Sequence, residues 1–206
     1  MPSFQCQECG ADFELPAATL AKYPGWQPKY CRKHSPKKGG KGAGRREEHL
    51  TLAQVLEKYE GGPQSGVFTD GSSVPNPGPG GWGFVWVEGG EIRGQGHGRD
   101  PGTTNNRMEL TALIEAYSAL PVDSSVTVRT DSRLCVDTIL KWAPGWERKG
   151  WKKKGGPIKN LELVQELLEL HRGHEGCSLE WIAAHSGNLW NEYADSLATA
   201  WMRDEL

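Results

Sequence analysis

The order of strand and helix patterns along residues 66–202 constrains the fold more than any other feature of this chain. Three strand-like segments come first, at residues 67–69, 82–87 and 91–98, and a Gly89-Gly90 step joins the last two as a hairpin. A helix, a strand, two further helices, a strand and a last helix follow. Leading strands followed by alternating helices and strands predict an α/β fold, with one mixed five-stranded sheet and helices on both faces.

The later elements are predicted from the spacing of their apolar side chains. Residues 104–120 repeat with helical period, and residues 125–130 alternate as a half-buried strand does. The remaining predictions are helices at residues 50–59, 133–142, 161–171 and 189–202 and a strand at residues 178–184.

An acidic residue directly follows the first predicted strand. The apolar run at residues 67–69 ends at Asp70, and Gly71-Ser72 predict a tight turn that exposes its carboxylate. By itself, an Asp-Gly step after a strand is typical of a hairpin turn. Three more carboxylates lie at the edges of predicted elements: Glu109, Asp131 and Asp195.

These four carboxylates predict a metal site. Strand ends and adjacent helix starts converge on one edge of such a sheet. Clustered carboxylates repel one another unless cations bind between them, and hard oxygen ligands suit Mg²⁺ or Mn²⁺. Two such ions favour in-line attack on a phosphodiester, because one activates water and the other stabilises the leaving oxygen. Singly, each acid is typical of a solvated surface, so the hypothesis depends on the set of four.

The motifs that contain these acids resemble those of type 1 ribonuclease H, in the family's order. They are Thr69-Asp-Gly-Ser72, Thr103-Thr-Asn-Asn-Arg-Met-Glu-Leu110, Thr130-Asp-Ser132 and His185-Ser-Gly-Asn-Leu-Trp-Asn-Glu-Tyr-Ala-Asp195. The resemblance implies a ribonuclease H-like fold and endonucleolytic cleavage of RNA in RNA–DNA hybrids, leaving 5′-phosphate ends. It implies that the four acids bind two metal ions and that His185 assists by shuttling protons or helping the product leave.

The same resemblance implies positions that contact the hybrid. Loop residues beside the acids that match such positions are Asn76, Asn105 and Asn106. Thr104 and Asn160 match a pocket for a phosphate of the DNA strand. Gly102 stands where that pocket often has a basic residue, so we expect weaker phosphate binding there.

A basic, tryptophan-rich stretch spans residues 141–159, with seven Lys/Arg against one Asp/Glu. It resembles the basic protrusion of many bacterial members of the family. Lysines there would neutralise phosphates, while the indoles pack on sugars or on the protein itself, and we expect about half of the tryptophans to be core anchors. The candidate contacts are Trp142, Trp146, Lys149, Lys152 and Lys153.

Two pairs of candidate metal ligands lie near the N-terminus, each with two intervening residues. They are Cys6 and Cys9, then Cys31 and His34. Four such ligands predict a closed, structural Zn²⁺ site, since the broken segment between them is too short to build an apolar core. The alternative is a flexible tail with free cysteines. We predict a zinc-ribbon-like module at residues 1–36, a basic linker and short helix at 37–62, and the ribonuclease H domain at 63–206.

Charge is segregated along the chain, although the net charge is only −2. Residues 1–46 carry nine Lys/Arg against three Asp/Glu, and the tryptophan-rich stretch is the second basic segment. Two basic segments beside an acidic body predict a polyanionic partner. The N-terminal module would therefore increase nucleic-acid affinity or, alternatively, dock a protein partner. A binding protein with a retired nuclease fold is disfavoured, because all four acids and His185 are present.

The sequence also bears on location. No apolar run approaches the length that spans a bilayer, and residues 1–6 lack the charged-then-apolar pattern of a secretory signal. Five cysteines then favour metal ligation or free thiols over disulfides. We expect a cytoplasmic, monomeric enzyme with no membrane partner.

Overall fold

The computed structural model describes residues 2–21, 27–31, 33–34, 49–203 and 206. It divides into two compact units, residues 1–48 and 49–206. In the first unit, β1 (Ser3–Gln5) pairs antiparallel with β2 (Asp12–Glu14), and helix α1 (Ala17–Ala21) follows. Most of the predicted basic linker, residues 37–48, lies outside the described residues.

The second unit contains the predicted succession of strands and helices. In chain order its elements are α2 (Leu52–Lys58), β3 (Gly66–Ser73), β4 (Gly78–Glu88), β5 (Glu91–Thr103), α3 (Asn105–Ala119), β6 (Thr127–Thr130), α4 (Arg133–Asp137), α5 (Ala143–Glu147), α6 (Leu161–Gly173), β7 (Ser178–Trp181) and α7 (Leu189–Ala198). A π-helical turn, Thr138–Trp142, joins α4 to α5, and a 3₁₀ turn, Ala200–Met202, follows α7. No helix in the described part of the chain is long and apolar enough to cross a membrane.

The strands form one mixed sheet in the order β5-β4-β3-β6-β7. The first three are antiparallel neighbours, whereas β6 runs parallel to β3 and β7 parallel to β6. Val67 packs on one face with residues of α3 and α6, and the adjacent Phe68 packs on the other face with α2 and α7. The prediction of a mixed five-stranded sheet with helices on both faces is confirmed.

Three local predictions were wrong. Residues Gly71-Ser72 form no turn, because β3 continues to Ser73 and pairs with β4 along its whole length. The helix predicted to end at residue 142 continues through the π-helical turn into α5, and Pro144 lies in the first turn of α5. Strand β7 ends at Trp181, three residues before the predicted end.

Candidate active site

Asp70 is the centre of an acidic cluster. It lies within β3, where its backbone pairs with Gly83 of β4. Burial raises the pKa of the Asp70 carboxyl well above its usual value, and the charges of Asp131 and Asp195 raise it further. A hydrogen bond between the Asp70 and Asp195 side chains acts in the same direction. Three of the four predicted metal ligands are therefore direct electrostatic neighbours.

Asp131 connects this group to the fourth carboxylate. Burial raises the pKa of Asp131 to about 6, with a second contribution from the charge of Glu109. A hydrogen bond from Asn191 and the charge of His185 act in the opposite direction. The structure thus brings the four acids and His185 into one site.

Glu109 is held by the start of α4. The Ser132 hydroxyl donates a hydrogen bond of 2.6 Å to Glu109 Oε2, and Cys135 Sγ lies 3.8 Å from the same oxygen. Burial, followed by the charge of Glu109, raises the pKa of the Cys135 thiol to about 12. Cys135 is therefore a neutral, buried thiol beside a carboxylate, and the sequence analysis gave it no place in the site.

Two glycines, one in β3 and one in β4, let helices on opposite faces approach the sheet around Asp70. A Cβ atom on Gly71 would lie 2.2 Å from Glu109 N, and a Cβ atom on Gly83 would lie 2.4 Å from Leu197 Cβ. Any larger residue would push α3 or α7 away from the sheet. These close approaches bring the helices that carry Glu109 and Asp195 against the sheet around Asp70.

His185 lies on the loop before α7, in a left-handed backbone conformation with φ of 47°. Its side chain is 57% exposed, and its Nδ1 is 3.7 Å from Oε2 of the buried Glu192. Ligand atoms of His185, Glu192 and Asp195 lie within 4.8 Å of one another. The imidazole is therefore open to solvent at the edge of the carboxylate cluster.

Sequence reasoning missed Asn191 and Glu192, although both belong to the last quoted motif. Asn191 is 2% exposed and hydrogen-bonds Asp131, while its Oδ1 has no hydrogen-bond partner among the described residues. Helical spacing was the available signal: Asn191 and Glu192 precede Asp195 by four and three residues, so the three side chains share one helix face.

The predicted substrate contacts are joined by hydrogen bonds. Asn105 N donates to Asn76 Oδ1 over 3.3 Å, and Asn160 Nδ2 donates to Asn106 Oδ1 over 2.7 Å. Arg107, which the sequence analysis did not single out, donates from its side chain to Asn160 Oδ1. These amides form a connected polar surface at the N-termini of α3 and α6.

The phosphate-pocket candidates lie on the same surface. Thr104 caps α3, because its hydroxyl accepts a hydrogen bond from Arg107 N, and Asn160 precedes α6 with φ of 53°. The Arg107 guanidinium is itself paired with Glu162 over 2.6 Å. Position 102 is open, since a Cβ atom on Gly102 would meet no atom within 4 Å.

The basic stretch combines anchored and exposed side chains. Trp146 packs against the core, whereas Trp142, whose ring centroid is 6.1 Å from that of Trp146, is 41% exposed. Lys153 lies over the Trp146 ring at 5.6 Å, and Lys149 and Lys152 are exposed. Trp146 thus packs on the core and forms a cation–π contact with Lys153. The side chains of Trp142, Lys149 and Lys152 are exposed to solvent.

The N-terminal ligands form a separate cluster. Ligand atoms of Cys6, Cys9, Cys31 and His34 lie within 4.8 Å of one another. His34 Nδ1 is 3.7 Å from Cys6 Sγ and 3.5 Å from Cys31 Sγ, and Cys9 Sγ is 3.9 Å from Cys31 Sγ. Two thiolates about 2.3 Å from a tetrahedral zinc would be about 3.8 Å apart, so the cluster fits Zn²⁺.

Comparisons with known proteins concern the second unit. The RNase H family model matches residues 63–203. Ribonuclease H of Gluconobacter oxydans is 46% identical over 141 residues, which cover 66% of this chain and 91% of that protein. Ribonuclease H of Hyphomonas neptunium is 46% identical over 140 residues, which cover 64% and 87%. The crystal structure of LC9-RNase H1, a type 1 RNase H with the type 2 active-site motif, gives a TM-score of 0.57 at 35% identity, covering 68% of this chain and 74% of that one.

Proposed function

The chain belongs to the RNase H family, and we propose that it cuts the RNA strand of RNA–DNA hybrids by metal-dependent hydrolysis. The observation that carries the proposal is the convergence of Asp70, Asp131 and Asp195, with Glu109 next to Asp131. Acids that raise one another's pKa are costly to hold together, which is typical of a functional site rather than of a solvated surface.

The four carboxylates fit Mg²⁺ or Mn²⁺ as ligands. Carboxylate oxygens are hard ligands, which these ions prefer. Cations between the four acids would offset their mutual repulsion, which burial strengthens. Two ions held by Asp70, Glu109, Asp131 and Asp195 would supply an activated water and a charge that stabilises the leaving oxygen. Ser132 fixes one Glu109 oxygen through its hydroxyl, and Asn191 holds Asp131, so both acids are oriented before substrate arrives.

His185 has an auxiliary role in this proposal. Its exposed ring can take a proton from the reaction centre and release it to solvent, or carry one in the opposite direction. The carboxylate of Glu192 lies 3.7 Å from His185 Nδ1, close enough to pair with the ring when it is protonated. Loss of the imidazole would slow turnover without abolishing it, because the four carboxylates remain.

The asparagines recognise the hybrid in this proposal. Amide groups both donate and accept hydrogen bonds, which suits 2′-hydroxyl groups and minor-groove edges. Asn76, Asn105 and Asn106 lie on the polar surface described above, beside Glu109 of the same helix. Thr104 and Asn160 would bind a phosphate of the DNA strand, weakly because Gly102 contributes no cation there.

The basic stretch would bind the hybrid outside the cleavage site. Exposed Lys149 and Lys152 can neutralise phosphates, and Lys153 is placed for the same contact by Trp146. Exposed Trp142 offers an apolar ring for a sugar or base. These contacts supply affinity and carry no sequence specificity.

The N-terminal unit would aid nucleic-acid binding as a zinc-stabilised module. Support comes from its clustered ligands and from the excess of Lys/Arg in residues 1–46. The alternative is a module that docks a protein partner. A truncated chain should begin at His49, because Val55 of α2 packs in the same cluster as Trp190 and Leu197 of α7. If the module binds nucleic acid, truncation reduces the salt dependence of hybrid affinity, whereas removal of a docking module leaves it unchanged.

Substrate discrimination tests the proposed activity. The full chain, with Mg²⁺ or with Mn²⁺, would be given end-labelled RNA–DNA hybrid, RNA duplex and DNA duplex. We expect cuts in the RNA strand of the hybrid alone, with 5′-phosphate ends. Equal cleavage of duplex RNA would contradict hybrid specificity, and binding without any cleavage would favour a retired nuclease. We also expect a monomer acting in the cytoplasm, which sedimentation and cell fractionation would test.

A further inference from the structure

Arg133 and Trp181 form a stacked pair at the edge of the carboxylate cluster. The guanidinium carbon of Arg133 is 4.4 Å from the centroid of the Trp181 ring. Trp181 Nε1 donates to the backbone oxygen of Asp131 over 2.9 Å, and Arg133 N approaches the same oxygen at 3.1 Å. Both members of the pair are therefore tied to the backbone of a proposed metal ligand.

The pair is open to solvent. Arg133 is exposed, and Trp181 is 42% exposed. Arg129, two residues before Asp131, is paired with Glu180, but no ion pair of Arg133 occurs within the residues that the structure describes. A cation two residues from Asp131 is thus available to an incoming anion.

Stacking leaves the guanidinium ready for a phosphate. The guanidinium carbon lies over the Trp181 ring, and no hydrogen bond from the Arg133 side chain occurs among the described residues, so its N–H donors remain available. Those donors match phosphate oxygens, and an ordered arginine loses less rotamer freedom when it binds. The hydrogen bonds to Asp131 O fix both residues to the backbone of a proposed metal ligand.

We propose that Arg133 binds a backbone phosphate of the strand being cut, adjacent to the scissile phosphate, and that Trp181 is its positioning residue. The inference rests on the proposed function, since it needs an RNA–DNA hybrid at the carboxylates. The strand is the cut one because Arg133, the first residue of α4, lies only two residues after Asp131, a proposed ligand of the ions at the cleavage point. The contact would be with phosphate, so it would add affinity that depends on salt and would not read the base sequence.

Hybrid binding over a salt series tests the contact. Full-length protein with Asp70→Asn would be used throughout, so that the substrate stays intact, and Arg133→Gln, Trp181→Leu and Trp181→Phe would be added singly. For Arg133→Gln we expect about tenfold weaker binding at low salt, and a salt slope reduced by roughly one. Trp181→Leu should lower affinity in the same direction, and Trp181→Phe less, because a ring remains under the guanidinium.

Arg93→Gln is the matched control. Arg93 is also a partly exposed arginine, but it is paired with Glu88 and Glu91 at the β4–β5 hairpin. We expect its removal to change neither affinity nor slope. An unchanged slope in Arg133→Gln, or an equal change in Arg93→Gln, would overturn the inference.

Steady-state kinetics in the chain with intact Asp70 distinguish a substrate contact of Arg133 from a displacement of Asp131 by the substitution. If Arg133 only binds substrate, Arg133→Gln raises KM about tenfold and leaves kcat within about twofold. A fall in kcat at constant KM would mean that the substitution displaces Asp131, and would also overturn the inference. Should the parent chain cut no hybrid, the proposed function fails. If the parent cuts hybrid but Arg133→Gln binds hybrid as tightly as the parent at every salt concentration, only the inference about Arg133 is overturned.

Discussion

Asp70 of β3 lies directly opposite Gly83 of β4, and Gly83 lies so close to α7 that a Cβ atom there would be 2.7 Å from Ala198 N. The glycine opposite the central acid thus lets the helix that carries Asp195 lie against the sheet. The side chains of Asp70 and Asp195 are then near enough to share a hydrogen bond. The contact between Gly83 and α7 therefore accounts both for the close packing of this helix and for the proximity of Asp70 and Asp195.

We expect Gly83→Ala to destabilise the protein and reduce hybrid cleavage together. The added methyl must move α7, and such overpacking costs about 1–3 kcal/mol. Denaturant unfolding and initial cleavage rates would measure the two effects. Gly173→Ala at the end of α6 is the control, since a Cβ atom there meets nothing within 4 Å. Equal behaviour of the two variants would contradict the close-packing argument.

Removing the charge of Asp70 should stabilise the metal-free protein. Burial and two neighbouring acids disfavour the ionised carboxylate, and Asn keeps the shape without the charge. In EDTA at pH 7 we expect a higher Tm for Asp70→Asn, by about 2–4 °C for each kcal/mol of repulsion removed. Adding Mg²⁺ should raise the Tm of the parent more than that of the variant, because only the parent keeps all four ligands. A lower Tm of the variant in EDTA would be the contrary result.

The free energy of unfolding should decrease as the pH falls, in part because His171 becomes protonated. Burial lowers the pKa of His171 below its ordinary value, and the charges of Arg172 and His174 act in the same direction. The unfolded chain therefore binds this proton first, so stability is complete above about pH 6.5 and is lost as pH falls through the folded pKa.

The pH dependence can be assigned by comparing variants. In urea unfolding at pH 7.5, 6.5 and 5.5, we expect His171→Gln to lose less stability than the parent as pH falls. His49→Gln, at an exposed position, should follow the parent. If the stability of His171→Gln falls with pH as steeply as that of the parent, groups other than His171 account for the pH dependence.

The N-terminal cluster should hold one zinc ion per chain. Burial by itself raises the pKa of the Cys6 thiol, but hydrogen bonds from backbone groups, first that of Cys31, together lower it to about 6, which favours the thiolate that binds metal. Elemental analysis of purified protein should find one equivalent of zinc, and Cys31→Ser should lose most of it. Cys177→Ser, a buried cysteine of the other unit, should keep it. Equal zinc content in both variants would exclude the cluster as the site.

The sequence predicted the elements and the acidic cluster well because those signals are local. Helical period identifies α3 within one residue of each end, and the four acids lie inside short motifs. The position of Asp70 inside β3 was missed, because it depends on pairing with β4 and not on the residues around it. Locally, Gly71-Ser72 has the composition of a turn.

Features formed between distant segments were also missed. Gly83 is ordinary in sequence, and only the approach of α7 shows why a side chain cannot stand there. Arg133 and Trp181 are separated by a long stretch of chain and meet because β6 and β7 are parallel neighbours. Contacts of this kind depend on register and packing, which no local pattern specifies.

The most direct test of the central claim is cleavage of a labelled RNA–DNA hybrid by the full chain and by Asp70→Asn in Mg²⁺. We predict that the full chain cuts the RNA strand and that the variant, folded and at least as stable without metal, cuts it at least about 10²-fold more slowly. Cleavage by Asp70→Asn at the rate of the parent would place catalysis elsewhere. An inactive parent, with Mg²⁺ and with Mn²⁺, would contradict the assignment of the carboxylate cluster as a nuclease site.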